Sequence, residues 1–109
     1  MQSPIPGVKT EEWTLIQRIL NDCLANLSHL TVEAFGSRTT SHFRTDSDLD
    51  LWINAPIPLQ PRIISRLREQ FEESTLPYSV DLIEKQRTPA SIQANIEKLG
   101  RTLVFQSPS

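Results

Sequence analysis

Three aspartates and a Gly-Ser pair hold the chemical interest of this chain. Asp48 and Asp50 stand in Asp48-Leu49-Asp50-Leu51-Trp52-Ile53, Asp81 stands in Val80-Asp81-Leu82, and Gly36-Ser37 follows the apolar run Val32 to Phe35. On a strand, residues i and i+2 share a face. Asp48 and Asp50 therefore project together, while Leu49, Leu51 and Ile53 point the other way into a core. Like charges held side by side repel, and a fold normally avoids that arrangement unless a cation sits between them. Asp81 joins them if the strand that carries it lies beside the strand of Asp50. Hard cations such as Mg²⁺ bind through one or two carboxylates, with water and substrate phosphates completing the shell. Paired metals serve in-line displacement at phosphorus. A glycine lets backbone N–H groups approach a phosphate, and a serine hydroxyl can donate to it. Three convergent carboxylates beside Gly36-Ser37 are thus the minimum equipment for nucleotidyl transfer. Arg38 either pairs with a phosphate or acidic group or is solvated.

Competing readings of the same residues are weaker. Asp46-Ser47-Asp48-Leu49-Asp50 opens like a calcium loop, but the glycine and glutamate such a loop needs are Leu51 and Ile57 here. Asp46 is read as a loop acid outside the trio. His29 and His42 have no cysteine or second histidine at ligand spacing, so no zinc site is indicated. Gly-x-Ser-x-Gly is absent, which removes the serine-hydrolase elbow. A solvated acidic strand edge is the plain alternative for the aspartates.

The elements that must position these groups follow from periodicity. Thr10 is a candidate N-cap, with Glu11 and Glu12 in the first turn. Trp13, Ile16, Leu20, Cys23, Leu24 and Leu27 recur at helical spacing to about residue 28. Cys23 on that stripe reads as a buried structural thiol. Thr31 to Phe35 and Leu49 to Ile53 read as strands, joined by a Ser/Thr-rich loop. A second helix starts at Pro61, buries Ile63, Ile64, Leu67 and Phe71, and ends near Ser74. Tyr78 to Ile83 is a third strand. Thr88-Pro89 marks a third helix with Ile92, Ile96 and Leu99 as its stripe and Gly100 at its C′ position. Thr102 to Phe105 is a final strand. This order predicts an α+β domain, a small mixed sheet of about four strands with helices mainly on one face.

Size and charge bound the rest. The 109 residues suffice for one domain spanning 1–109, with 1–8 and 106–109 irregular and the lead-in irregular or mobile. A net charge of −2, evenly distributed, argues against general nucleic-acid binding. One cysteine excludes an internal disulfide and points to a reducing compartment. No apolar run reaches the roughly 18 residues of a membrane span, and no signal-peptide pattern opens the chain, so a cytoplasmic protein is expected.

Gly36-Ser37, Asp48-Leu49-Asp50 and the later lone Asp81 together resemble the nucleotidyltransferase superfamily of DNA polymerase beta. More narrowly, the chain is similar to the minimal nucleotidyltransferases over about residues 10 to 105. The resemblance implies a nucleotidyltransferase-like mixed sheet, ATP as donor and two Mg²⁺ ions. It implies that Asp48, Asp50 and Asp81 are the metal-binding and catalytic acids, the third helping to activate the attacking hydroxyl, and that Gly36 and Ser37 contact the triphosphate; Arg38 is taken with them as a nucleotide-binding candidate. Many minimal members act beside an all-helical HEPN protein in pairs that resemble toxin–antitoxin modules. The expected activity is therefore transfer of AMP to a hydroxyl of such a partner, in a possible homo- or hetero-oligomer. Two alternatives are an antitoxin that occludes a helical ribonuclease without chemistry and a transferase acting on a small aminoglycoside-like hydroxyl. Minimal members commonly continue Gly-Ser-x-Ala-Arg-Gly, whereas Thr40 and Ser41 stand here in place of the arginine and second glycine.

Overall fold

The computed structural model describes residues 2–108. Helix α1 (Thr10–Leu24) is followed by strands β1 (Thr31–Phe35) and β2 (Leu49–Asn54), helix α2 (Pro61–Glu73), strand β3 (Val80–Glu84), helix α3 (Ala90–Glu97) and strand β4 (Thr102–Gln106). The four strands form one sheet in the order β3-β2-β1-β4. β1 runs antiparallel to both β2 and β4, and β2 runs parallel to β3. The C-terminal end of β1 therefore meets the N-terminal ends of β2, β3 and β4. Every candidate site residue lies at that end of the sheet.

Alternation decides what each face does. Val32, Ala34, Leu49, Leu51 and Ile53 are fully buried on one face, under the apolar stripes of α1 (Ile16, Leu20, Leu24) and α2 (Ile64, Leu67, Phe71). The opposite face carries Phe35, Trp52 and Ile83, covered only by Ile96 of α3. Two helices thus pack on one face, and the short third helix on the other. Of the stripe expected on α3, Ile96 alone is buried, while Ile92 and Leu99 are about half exposed. Among the described residues no helix is long and apolar enough to cross a membrane.

Several boundaries differ from the sequence expectation for identifiable reasons. α1 is capped by Lys9, whose backbone N–H donates to the Glu12 carboxylate at 3.0 Å, so Thr10 is the first helical residue. The helix ends at Leu24, and His29 takes a left-handed φ of 59° in the turn before β1. Thr88 closes a single 3₁₀ turn over Lys85–Arg87, its hydroxyl donating to the Glu84 carbonyl, which leaves Pro89 as the α3 cap. Gly100 has no left-handed φ. Arg101 closes α3 instead, donating to the Ile96 and Leu99 carbonyls while it pairs with Glu33 at 3.3 Å. β3 begins at Val80, two residues later than expected, because Tyr78 turns into the core beside Arg38.

The lead-in is neither helix nor strand, yet it belongs to the core. Ile5 and Val8 are 2% and 3% exposed. Gly7 exchanges hydrogen bonds with Arg38: its N–H donates to the Arg38 carbonyl, and its own carbonyl accepts from Arg38 Nε, both at 2.9 Å. Truncating Ile5 to alanine should cost about 2–5 kcal/mol, as for other fully buried aliphatic residues. Urea denaturation measures this, and a loss below about 0.5 kcal/mol, the range of exposed positions, would show that the segment is not part of the core.

Candidate active site

Register assembles the carboxylates. Asp50 of β2 is the direct partner of Asp81 of β3 in a parallel ladder, and on its other side it faces Phe35, the last residue of β1. Neighbouring strands lie about 4.8 Å apart, so register partners present their side chains side by side on one face. Asp48 lies just ahead of β2, near enough for its charge to act on Asp50. Asp48 and Asp81 are exposed, and Asp50 is half-buried between them. Their mutual field is plain at Asp50, whose carboxyl is pushed up to about 6 by burial first, then by Asp81 and Asp48. None of the three forms an ion pair among the described residues. Asp46, by contrast, is neutralised by Arg44 at the surface.

Gly36 closes the corner above this face. Its φ of 89° and ψ of −173° place it in backbone space that essentially only glycine occupies. A Cβ there would stand 2.5 Å from Asp50 Oδ2. Glycine is thus required twice, once by the backbone and once by the carboxylate. Ser37 opens a 3₁₀ turn over Ser37–Thr39, and its hydroxyl is exposed and without a hydrogen-bond partner among the described residues. Gly36, Ser37, Thr39 and Thr40 and the α3–β4 corner at Leu99 to Thr102 line an open cleft of about 470 Å³. A larger cleft of about 620 Å³, at Cys23, Leu27, Ile63 and Arg66, shares no residue with the carboxylate face.

Arg38 is not where sequence reasoning placed it. Expected at a phosphate or in solvent, it is 5% exposed. Its guanidinium donates to the carbonyls of Gly7 (2.9 Å), Ser47 (2.6 Å) and Arg44 (3.1 Å), and lies 3.8 Å from the centroid of the Tyr78 ring. The Tyr78 hydroxyl donates to Glu12 at 3.1 Å, and burial, then Glu12, raise its pKa. Sequence reasoning missed this network. Its members are spread from Gly7 to Tyr78, and no local spacing signals it.

A divalent cation suits the donor set. All three groups supply carboxylate oxygen, none has a cationic partner, and their repulsion is the kind a bound charge relieves. Among the described residues, no three or more His, Cys, Asp or Glu side chains are gathered tightly enough to enclose an ion. A hard cation held by one or two carboxylates and completed by substrate phosphate needs no such cage.

With this geometry in hand, the comparisons are specific. Residues 16–109 match the family model described as polymerase beta, nucleotidyltransferase. The chain belongs to the polymerase beta nucleotidyltransferase family. It is similar to "Probable protein adenylyltransferase MntA" of Haemophilus influenzae, 37% identical over 92 residues that span 84% of this chain and 78% of the relative. Among solved structures it resembles a crystal structure of a toxin–antitoxin with AMP-PNP, with a TM-score of 0.64 and 20% identity over 87% of this chain and 73% of that one. It also resembles a complex of a tri-AMPylated Shewanella oneidensis HEPN toxin with an MNT antitoxin (TM-score 0.58, 17% identity, the same coverages). At these identities the structural likenesses establish the nucleotidyltransferase fold.

In this nucleotidyltransferase the segment that departs from the family pattern is locally stapled. Thr39 Oγ1 donates to the Gly36 carbonyl at 2.6 Å, and Thr40 Oγ1 donates to the Ser37 carbonyl at 2.7 Å. Backbone N–H groups of the same two residues reach the same two carbonyls. Such hydroxyl-to-backbone bonds stabilise turns without help from a second glycine. The altered loop therefore keeps a defined corner.

Proposed function

We propose that this protein transfers AMP from ATP to a hydroxyl of a helical HEPN-like partner protein, acting as the antitoxin of a toxin–antitoxin pair in the cytoplasm. The observation that carries this reading is the register of Asp50 with Asp81 directly beneath the glycine corner, with Asp48 just ahead of β2. The relatives support it, since one is named a protein adenylyltransferase and one resembled structure holds an AMPylated HEPN toxin.

In this reading Asp48 and Asp50 hold Mg²⁺, and Asp81 stands on the next strand, toward the incoming acceptor. Two Mg²⁺ ions bound there would neutralise charge on the attacking and leaving oxygens at the α-phosphorus. Gly36 allows the triphosphate close approach to the backbone, and the free Ser37 hydroxyl donates to a phosphate oxygen. The acceptor oxygen attacks the α-phosphorus, the bond to the bridging oxygen breaks, and pyrophosphate leaves. Asp81 accepts the hydroxyl proton. One domain of this size offers carboxylates and a shallow cleft on an open face, so a second polypeptide supplies the remaining wall of the acceptor site.

Incubation with α-labelled ATP, Mg²⁺ and a cognate HEPN protein tests the reading. Label should pass to the partner, and Asp48→Asn and Asp81→Asn should abolish the transfer. Absence of label, or equal labelling by the variants, would defeat the catalytic assignment. Toxin neutralisation that survives loss of all three acids would instead establish occlusion without chemistry.

A further inference from the structure

We propose that Arg38 is a positioning residue, which fixes the chain entering Asp48 and thereby sets where that carboxylate stands. The inference rests on the nucleotidyl-transfer reading of the carboxylate face. Asp48 is exposed and precedes β2, so neither packing nor the strand ladder holds it. Its backbone neighbours are held instead. The Ser47 carbonyl, joined directly to the Asp48 nitrogen, accepts from Arg38 Nη1 at 2.6 Å, and the Leu49 N–H donates to the Ser79 carbonyl at 2.9 Å. Asp48 hangs between these two anchors, one supplied by Arg38 and the other by the chain entering β3.

The guanidinium is suited to this task. Its rigid fork reaches Gly7 on one side and the carbonyls of Arg44 and Ser47 on the other, while its face stacks on Tyr78. A lysine ammonium offers a single point and satisfies one of these directions at a time. Among the described residues no carboxylate forms an ion pair with Arg38, whose partners are backbone carbonyls and aromatic rings. What an apolar residue would lack here is the grip on the Ser47 carbonyl. Gly7 completes the device, because a Cβ there would come within 2.5 Å of the Arg38 carbonyl oxygen.

The test compares wild type with Arg38→Lys and Arg38→Met in three measurements: melting temperature, Mn²⁺ affinity by water-proton relaxation, and kcat and KM for ATP in AMP transfer. Groups that orient metal ligands typically contribute 10–100-fold to metal affinity or activity. Folded Arg38→Lys should therefore bind Mn²⁺ about tenfold more weakly and lose kcat by a similar factor, with KM for ATP at saturating Mn²⁺ changed by less than about twofold. Unchanged Mn²⁺ affinity in a folded variant would overturn the inference, and a raised KM for ATP with unchanged kcat would place Arg38 on the nucleotide instead. If Arg38→Met does not fold, Gly7→Ala displaces the same lock and should reproduce the weakened Mn²⁺ binding. A wild type that neither binds Mn²⁺ nor transfers AMP would sink the proposed function itself. A competent wild type beside equally competent variants would sink only the role given to Arg38.

Discussion

Replacing Asp50 with asparagine is expected to end AMP transfer and, in the absence of divalent metal, to make the protein harder to melt at pH 8. The loss of transfer should exceed about 100-fold, more than an outer-shell partner costs, because in the proposed site Asp50 touches the metal directly. The gain in stability has a separate origin. Asp50 has an ordinary carboxyl value of 3.8 that burial, Asp81 and Asp48 push up to about 6 in the folded chain. The folded protein therefore holds the Asp50 proton more tightly than the unfolded chain does. Below about pH 4 that preference contributes its full stabilisation, which is lost as pH rises towards 6. Above pH 6 the folded protein carries a charge it would rather not bury. Asparagine carries none, and the Asp50 carboxylate accepts no hydrogen bond among the described residues that the substitution would break. Allowing for its partial exposure, the relief is about 1 kcal/mol, a rise in Tm of about 4–8 °C for a domain of this size. The rise should be present at pH 8 with chelator and absent at pH 4. An Asp50→Asn protein that transfers AMP at the wild-type rate, or melts lower than wild type at pH 8, would contradict the site. The same titration predicts that Mn²⁺ binding by the wild type weakens as pH falls below about 6.

Gly36→Ala should damage both folding and transfer. Its backbone conformation lies in the region at positive φ and extended ψ that costs other residues about 1–3 kcal/mol. The added Cβ also overlaps Asp50 Oδ2 at 2.5 Å, so relief requires the carboxylate or the corner to move. A displacement of about 1 Å at a reacting site can cost about 100-fold in rate. Transfer should fall by at least about that factor, and Tm should fall by about 4–8 °C for each kcal/mol of strain. Gly100→Ala is the internal control. Nothing lies within 4 Å of the position a Cβ would take there, and its φ is not left-handed. Calorimetry and transfer assays that found the two substitutions equally mild would refute the close contact between Gly36 and Asp50.

Sequence and structure agree best where a single rule acts alone. Alternation in Leu49 to Ile53 and in Val80 to Leu82 sets Asp50 and Asp81 opposite the apolar side of their strands, and the adjacency of β2 and β3 then brings them together. Pro61 marked the start of α2 because its missing N–H is tolerated only in the first turn. Readings failed where two local rules competed or where partners were distant. Thr88 and Pro89 both suit a helix start, and the 3₁₀ turn before them took the threonine. Gly100 was available to close α3, but Arg101 reached the open carbonyls first. The stripe of α3 was real, yet periodicity does not tell how much sheet lies opposite it. Arg38 was the largest miss. Its partners come from the lead-in, the loop and the entry to β3, and only the assembled fold brings them to one guanidinium.

The parallel ladder between β2 and β3 also bears on how such a site withstands mutational drift. A slip of one residue would bring Val80 or Leu82 opposite Asp50 and turn Asp81 away. It would also expose the apolar side of β3, where Val80 and Leu82 pack against the core. The register that pairs Asp50 with Asp81 is therefore policed by water rather than by any group that would touch substrate. Changes that loosen it are penalised first as poor folding, before selection on activity has anything to act on.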